Sequence, residues 1–376
     1  MARVLLIGTV ETKREEMDYL AGALRRHSLG VEVVDVSLGA GGQILSSPEK
    51  LARMTERAEA AARHVAAECH SCSVAIGVGG GTGGEIVLGA LRALPASYPK
   101  VLITTLAFDP RAALADTAIT VVPTLCDIEG LNPMLCTVFE NAAAMVAGAT
   151  QAAPPARSAR PNIAVTTLGA TAPAGTGVAK ALGARGFDAT VFHANGYGGA
   201  AFSRFVAEGG AVGVIDLNVH ELGRLRLAGA HVPMPQRFRA ADTLPRVVLP
   251  GGLNFLGLGA LATVSEAYRT RPHYQHSGHF THVALTEAEM ADQASALAAE
   301  LNHTQAPCHV LIPMGGFSHE DRPGGAIEAF ELRAIAADIF EAEARAYTCA
   351  RLDHHINAPE TAQTAVAALL ERMPDA

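Results

Sequence analysis

Val74-Ala75-Ile76-Gly77-Val78-Gly79-Gly80-Gly81-Thr82-Gly83-Gly84-Glu85 is the stretch on which the reading of the fold turns. A short apolar run passes into glycines and then into Ile86, Val87, Leu88 and Leu91, spaced for a helix. Strand, tight loop and helix make the unit from which parallel α/β sheets are assembled. Glycines let a backbone come close to a ligand. The helix that follows aims unpaired N–H groups and the positive end of its dipole back at the loop. Gly79, Gly80, Gly81, Gly83 and Gly84, with the Thr82 hydroxyl among them, therefore suit a phosphate or a carboxylate. A turn that only packs helix on strand is the competing reading. Five glycines within residues 79–84 exceed what such a turn needs, which favours the anion.

The same alternation runs outward in both directions. Residues 3–8 read as a first strand, followed by the turn Gly8-Thr9-Val10-Glu11-Thr12-Lys13 and a charged helix from about Arg14. Thr12 with Glu15 has the spacing of a capping box. Residues 31–36 form a second strand, and Ser47-Pro48 opens a long helix. Further strands are expected at 101–105 and 118–122, and a helix from Asn132. Residues 151–161, with three prolines and no large apolar side chain, read as a linker. The pattern restarts at Asn162, with strands expected at 162–167, 189–193, 212–216, 246–249, 283–285 and 309–312. The fold expected is α/β: two Rossmann-like, doubly wound domains, 1–150 and 162–376, with largely parallel sheets and an interdomain cleft.

Composition sets the outer bounds. A chain of 376 residues with 49% apolar residues has enough material for two proper cores. Its formal charge of −8 provides no basic face for nucleic acid or an acidic membrane. No apolar run approaches the roughly 20 residues needed to span a bilayer. Met1-Ala2-Arg3 leads directly into a strand rather than a signal sequence, so a cytoplasmic protein is expected. Cys69 and Cys72 alone among the six cysteines have motif spacing, and no second pair completes a zinc site.

Candidate chemistry falls at strand ends. Gly8, Thr9, Thr12 and Lys13 offer hydroxyls and a cation to a phosphate, although this first turn lacks G-x-G-x-x-G and no P-loop occurs. His193-Ala194-Asn195-Gly196-Tyr197-Gly198-Gly199 repeats the strand–glycine–helix junction, with Asn195, Gly198 and Gly199 as ligand contacts. His273, His276, His279 and His282 recur every third residue, a spacing that alternates faces on a strand, so no metal site is assigned. Asp216, His193 and Ser318 are the candidates for acid–base or positioning roles, while Glu221 is expected to be exposed. Ser318 next to His319 does not make a nucleophile, and the G-x-S-x-G elbow is absent.

Taken in order, Gly8-Thr9-x-Glu11-Thr12-Lys13, the 79–84 loop, Asp127-Ile128-x-Gly130-Leu131-Asn132, Val191-Phe192-His193-Ala194-x-Gly196-x-Gly198-Gly199, Gly316-Phe317-Ser318 and His355-Ile356-Asn357 form a pattern that runs nearly end to end. It resembles the bacterial proteins similar to the N-terminal domain of the tomato Tm-1 resistance protein. The resemblance implies an ATP-binding protein that self-associates, with Gly8, Thr9, Glu11, Thr12, Lys13 and the 79–84 loop as nucleotide contacts and Mg²⁺ accompanying the phosphates. The chain departs from the family pattern at Glu11 and Asn254, where Asp is expected, and at Ala284-Leu285, where an Arg is expected. Two other functions fit the residues. One is a metabolic enzyme acting on a small phosphorylated or carboxylated substrate; the other is a protein-binding module in which a nucleotide is structural.

Overall fold

β1 (Arg3–Gly8) is buried at every residue after Arg3. Val4 and Leu6 point into one core and Leu5 and Ile7 into another, because successive side chains on a strand take opposite faces. A strand apolar on both faces needs a cover on each, which is the signature of a parallel sheet. The computed structural model describes residues 1–153 and 158–373, so residues 154–157 of the expected linker lie outside the described residues. The chain divides into two units, Met1–Ala156 and Arg157–Ala376.

In the N-terminal unit β1 leads to α1 (Arg14–Arg26), β2 (Gly30–Asp35), α2 (Ser47–Glu68), β3 (Val74–Val78) and α3 (Gly81–Arg92). β4 (Lys100–Thr104), α4 (Arg111–Leu114), β5 (Ile119–Pro123) and α5 (Pro133–Thr150) complete it. The sheet order is β2-β1-β3-β4-β5, and every pairing is parallel. α1 and α5 supply Leu20, Leu24 and Phe139 to one core. α2 and α3 supply Met54, Val65, Val87 and Leu91 to the other. The chain winds in opposite senses from β1 and from β3, so the carboxyl ends of these two strands form the switch point where such sheets hold ligands.

Helix starts differ in detail from expectation. The Thr12 capping box does not form: Lys13 is the N-cap residue and no side chain caps α1. Thr12 instead donates its hydroxyl to Thr9 Oγ1 at 3.1 Å. Asn132 does cap α5, accepting from Leu135 N at 3.0 Å.

The C-terminal unit contains β6 (Asn162–Thr167), α6 (Ala172–Gly183), β7 (Asp188–His193), α7 (Gly198–Ala207), β8 (Gly213–Asp216), α8 (Glu221–Arg226) and β9 (Arg246–Val248). β10 (Phe255–Leu258), α9 (Glu266–Arg269), β11 (His273–Ser277), β12 (Phe280–Ala284) and α10 (Glu287–Leu301) come next. β13 (Cys308–Pro313), α11 (Phe330–Glu343), β14 (Thr348–Leu352) and α12 (Pro359–Leu370) end the unit. A six-stranded sheet in the order β14-β13-β9-β8-β6-β7 is parallel throughout. The strand expected at 283–285 is not part of it. Val283 and Ala284 end β12, the centre of a separate antiparallel sheet in the order β10-β12-β11, and Leu285 lies just beyond it. β11 escapes a hydrophobicity pattern because His273, Gln275, His276 and Ser277 are polar. β14 escapes because an edge strand with Thr348 and Arg351 carries little apolar signal.

Candidate functional site

Beyond the ends of β1, β2 and β3 lies a cavity of about 580 Å³, within the range of small-molecule sites. Thr9, Glu11, Thr12, Lys13, Gly79, Gly80, Gly81, Thr82 and Gly83 line it, together with Ser37, Gln43, Lys50, Asp127 and Glu129. Two segments 66 or more residues apart in sequence are brought together because β1 and β3 are hydrogen-bonded neighbours.

The glycines of the loop are not equivalent. A Cβ on Gly79 would sit 2.3 Å from Gly84 N, and one on Gly84 would sit 2.9 Å from a Phe108 ring carbon. Those two are bare because helix and strand pack there. A Cβ on Gly81 would meet nothing nearer than Ala107 Cβ at 3.9 Å, and one on Gly80 nothing nearer than Thr105 Oγ1 at 3.5 Å. Packing does not explain the missing side chains at Gly80 and Gly81. α3 begins at Gly81 with no side chain capping it, so its first N–H groups are directed into the cavity end of the loop. Gly79, Gly81 and Gly84 also stand at G-x-G-x-x-G spacing, here after β3 rather than after β1. The division of labour matches that fingerprint: a tight first glycine, an open second and a packed third.

Other expected contacts are engaged by the chain itself. Gly8 does not line the cavity; a Cβ there would collide with Met17 Sδ at 2.4 Å, so it is bare for packing. Glu11 lines the cavity, but both of its carboxylate oxygens accept from backbone N–H groups of the chain. Its Oε1 accepts from Gly41 N at 2.6 Å and its Oε2 from Gly39 N at 3.0 Å, fixing the 39–42 loop over one side of the cavity. Asp35 Oδ1 accepts from Val10 N at 3.0 Å, and Ser37 Oγ from Glu11 N at 2.8 Å, so the end of β2 clamps the first turn in return. Ser37 and its donated bonds hold the Asp35 carboxyl below its ordinary range despite burial. Lys13 Nζ pairs with Glu129 Oε2 at 2.6 Å at the cavity wall.

In the C-terminal unit the expected anion at residues 195–199 is supplied by the chain itself. Glu221, expected to be exposed, is fully buried. Its Oε1 accepts from Gly196 N at 3.0 Å and Gly199 N at 2.9 Å, and its Oε2 from Arg237 Nε at 2.6 Å. Asn195 Oδ1 accepts from Tyr197 N at 3.2 Å and Gly198 N at 3.3 Å, closing the turn. Gly198 and Gly199 are bare because a Cβ would strike His193 O at 2.0 Å or Arg237 Cδ at 2.5 Å. Arg237 Nη1 and Nη2 donate to the two Asp216 oxygens at 3.0 and 2.9 Å, and Arg246 and Thr166 also bond to Asp216. Arg237 and Arg246 hold the Asp216 carboxyl far below its usual range against the opposing effect of burial. This is a brace between strands, not an acid or base with a free oxygen. Ser318 is buried and its Oγ accepts from Asn254 Nδ2 at 3.2 Å, while His193 is exposed at the end of the edge strand β7. Among the described residues no hydrogen bond joins any two of Asp216, His193 and Ser318. The arginines of this network went unread because Arg246 sits in an otherwise apolar strand and Arg237 in a loop.

The four histidines lie on the β11–β12 hairpin. His276 stacks on His282 with centroids 4.9 Å apart, His282 on Phe255 at 4.3 Å, and Phe255 on His220 at 4.5 Å. Among the described residues no group of three His, Cys, Asp or Glu side chains could hold a metal ion. Burial pushes His220 down to about 3, reinforced by Arg224, and burial pushes His282 down to about 3, reinforced by His276 and Arg224. Both are neutral in the fold, whereas the unfolded chain protonates them near 6.5. The unfolded state then binds more protons between those values, so stability is complete above about pH 6.5 and falls as pH drops toward 3. Each histidine should contribute a slope of about 1.4 kcal/mol per pH unit in that window. Urea titrations at pH 7 and pH 5 check this, and His282→Gln should remove about half of the slope; an unchanged slope would refute the assignment.

The two parallel sheets, each covered by helices, and the ligand-sized cavity at a switch point define an α/β protein of Rossmann-like architecture. The chain belongs to the uncharacterised protein family UPF0261: the model for its N-terminal domain matches residues 2–155 and that for its C-terminal domain residues 160–373. It is similar to the UPF0261 protein of Mesorhizobium japonicum, 33% identical with 99% of each chain covered. A relative from Rhizobium meliloti is 32% identical with 98% of each chain covered. The ToMV susceptible protein tm-1(GCR26) of Solanum lycopersicum is 26% identical; the match takes in 99% of this chain but 56% of the tomato protein. Among the described residues no helix is long and apolar enough to cross a membrane.

Proposed function

We propose that the N-terminal unit binds ATP, with the phosphates against the 79–84 loop and Thr9, Thr12 and Lys13 on the opposite wall. The observation that carries this reading is the pair Gly80 and Gly81, which are bare at the cavity although packing leaves room for a side chain. Backbone N–H groups at an uncapped helix start, a nearby ammonium and hydroxyls are the donors a polyphosphate needs. The resemblance of the sequence to the Tm-1 N-terminal domain implies nucleotide as the ligand class. Mg²⁺ would arrive bound to the phosphates, since such ions keep much of their water and need few protein ligands. Of the carboxylates that line the cavity, Asp127 would be the one to receive it, because Glu11 holds the 39–42 loop and Glu129 pairs with Lys13. Self-association in solution belongs to the same reading, and light scattering on the purified chain checks it.

Calorimetric titration with ATP and Mg²⁺ is the direct test. Wild type should bind and Gly81→Asp should lose at least tenfold in affinity, because its carboxylate would enter the phosphate position and repel the ligand. Equal binding by both proteins would remove the loop from the site.

A further inference from the structure

We infer that the N-terminal unit holds a second small-molecule site, for an uncharged alcohol with a short apolar body. The site is a cavity of about 660 Å³ beyond the ends of β4 and β5, adjoining the first at Gly80, Gly81 and Asp127, which line both. Leu106 and Leu125 stand on its walls. Both take left-handed backbone, with φ of 55° and 61°, and among the described residues Ser28 is the only other non-glycine residue that does so. That conformation crowds a leucine's Cβ against the following carbonyl oxygen and is an outlier for a bulky side chain. Packing does not offset it, because Leu106 is 43% exposed and Leu125 80%. Two fully buried threonines hold these turns. Leu106 N donates to Thr104 Oγ1 at 3.3 Å, Thr124 N to Thr104 O at 3.1 Å, and Thr124 Oγ1 to Cys126 O at 2.5 Å. Strain kept for two exposed apolar side chains at one cavity points to a ligand body for them to hold.

The polar groups of the cavity define the head of that ligand. Asp127 is the one charged side chain among the described residues that line it. Its Oδ1 accepts from Ile128 N at 2.8 Å, and its Oδ2 accepts from none of the described residues. The Thr105 hydroxyl makes no hydrogen bond with the described residues and lies beside Gly80, where an added Cβ would be 3.5 Å from Oγ1. A hydroxyl both donates and accepts, whereas a carboxylate only accepts. A ligand alcohol answers both groups, accepting from Thr105 and donating to Asp127. A carboxylate head would meet the like charge of Asp127 with no cation on the lining to offset it. An ammonium head would face the positive end of α3, which begins at Gly81. The uncharged head meets neither opposition. A carboxylate offers about four acceptor positions, so Asp127 can serve this hydroxyl together with a hydrated Mg²⁺ at the first cavity. The second site does not depend on nucleotide in the first.

Leucine-methyl NMR of the full chain without nucleotide tests this, with signals assigned from Leu106→Ala and Leu125→Ala. Isoamyl alcohol, isovalerate and isoamylammonium share one apolar body and differ in the charge of the head. The alcohol should shift the Leu106 and Leu125 methyls saturably, with a Kd of about 1–10 mM for so small a ligand. The acid and the amine should bind at least tenfold more weakly, and saturating ATP with Mg²⁺ should leave the alcohol in place. Leu125→Asn should melt no lower than wild type, since asparagine takes left-handed backbone more readily. Read at Leu106, the same variant should bind the alcohol roughly fivefold more weakly for the loss of one apolar wall. Four results would overturn the proposal. The first is no saturable shift up to about 100 mM alcohol, at least roughly tenfold above the expected Kd. The second is isovalerate binding as tightly as the alcohol. The third is displacement of the alcohol by ATP, which would make the cavity the nucleoside end of the nucleotide site. The fourth is a Leu125→Asn protein that melts well below wild type, which would make Leu125 a packing residue.

Discussion

Asp216→Asn is expected to lower the unfolding free energy of the C-terminal unit by about 3–5 kcal/mol, the usual cost of removing one partner from a buried ion network. Asp216 is fully buried, and it accepts from Arg237, Arg246 and Thr166. The amide keeps the shape but removes the charge and turns one acceptor into a donor facing two guanidiniums. Among the described residues Arg246 then loses the one carboxylate that pairs with it, and Arg237 retains Glu221 alone. Because three strands meet at this point through β6, β8 and β9, the loss should register across the six-stranded sheet rather than at one loop. Urea unfolding of the full chain measures it, and a change below about 1 kcal/mol, the level of an exposed pair, would show that the network is not the brace described.

The second large effect separates two neighbouring glycines. Gly79→Ala should destabilise the N-terminal unit by about 1–3 kcal/mol or more, the range for overpacking a tight site. Its Cβ would sit 2.3 Å from Gly84 N and 2.5 Å from Gly83 C, and backbone at a helix start cannot step aside as a flexible side chain can. Gly81→Ala should leave stability within about 0.5 kcal/mol, as a surface change away from such features does, because its nearest neighbour would be 3.9 Å away. The ligand-binding outcome should reverse: Gly81→Ala folds normally but binds ATP more weakly, since the added methyl stands where phosphate oxygens approach the amides. Chemical denaturation and calorimetry on the same pair of variants decide the matter. If Gly81→Ala were as unstable as Gly79→Ala, the whole loop would be a packing turn and its bareness would say nothing about a ligand.

Local pattern reached far in this chain. The apolar run at residues 4–7, the run at 74–78 and their following glycines determined parallel strands buried on both faces, because side-chain alternation along a strand needs no knowledge of partners. Asn132 declared a helix start for the same reason: an N-cap bond spans three residues. The 79–84 loop was legible as a site through its excess of glycine. Tertiary structure alone decided which of those glycines are bare for packing and which for access, since Phe108 and Thr105, which separate the cases, come from another loop. It also decided that Glu11 and Glu221 fill amide clusters of their own chain, and that Asp216 is locked among arginines distant in sequence. A carboxylate at a strand end reads the same in sequence whether it faces a ligand or an arginine, because the pairing depends on which strands become neighbours.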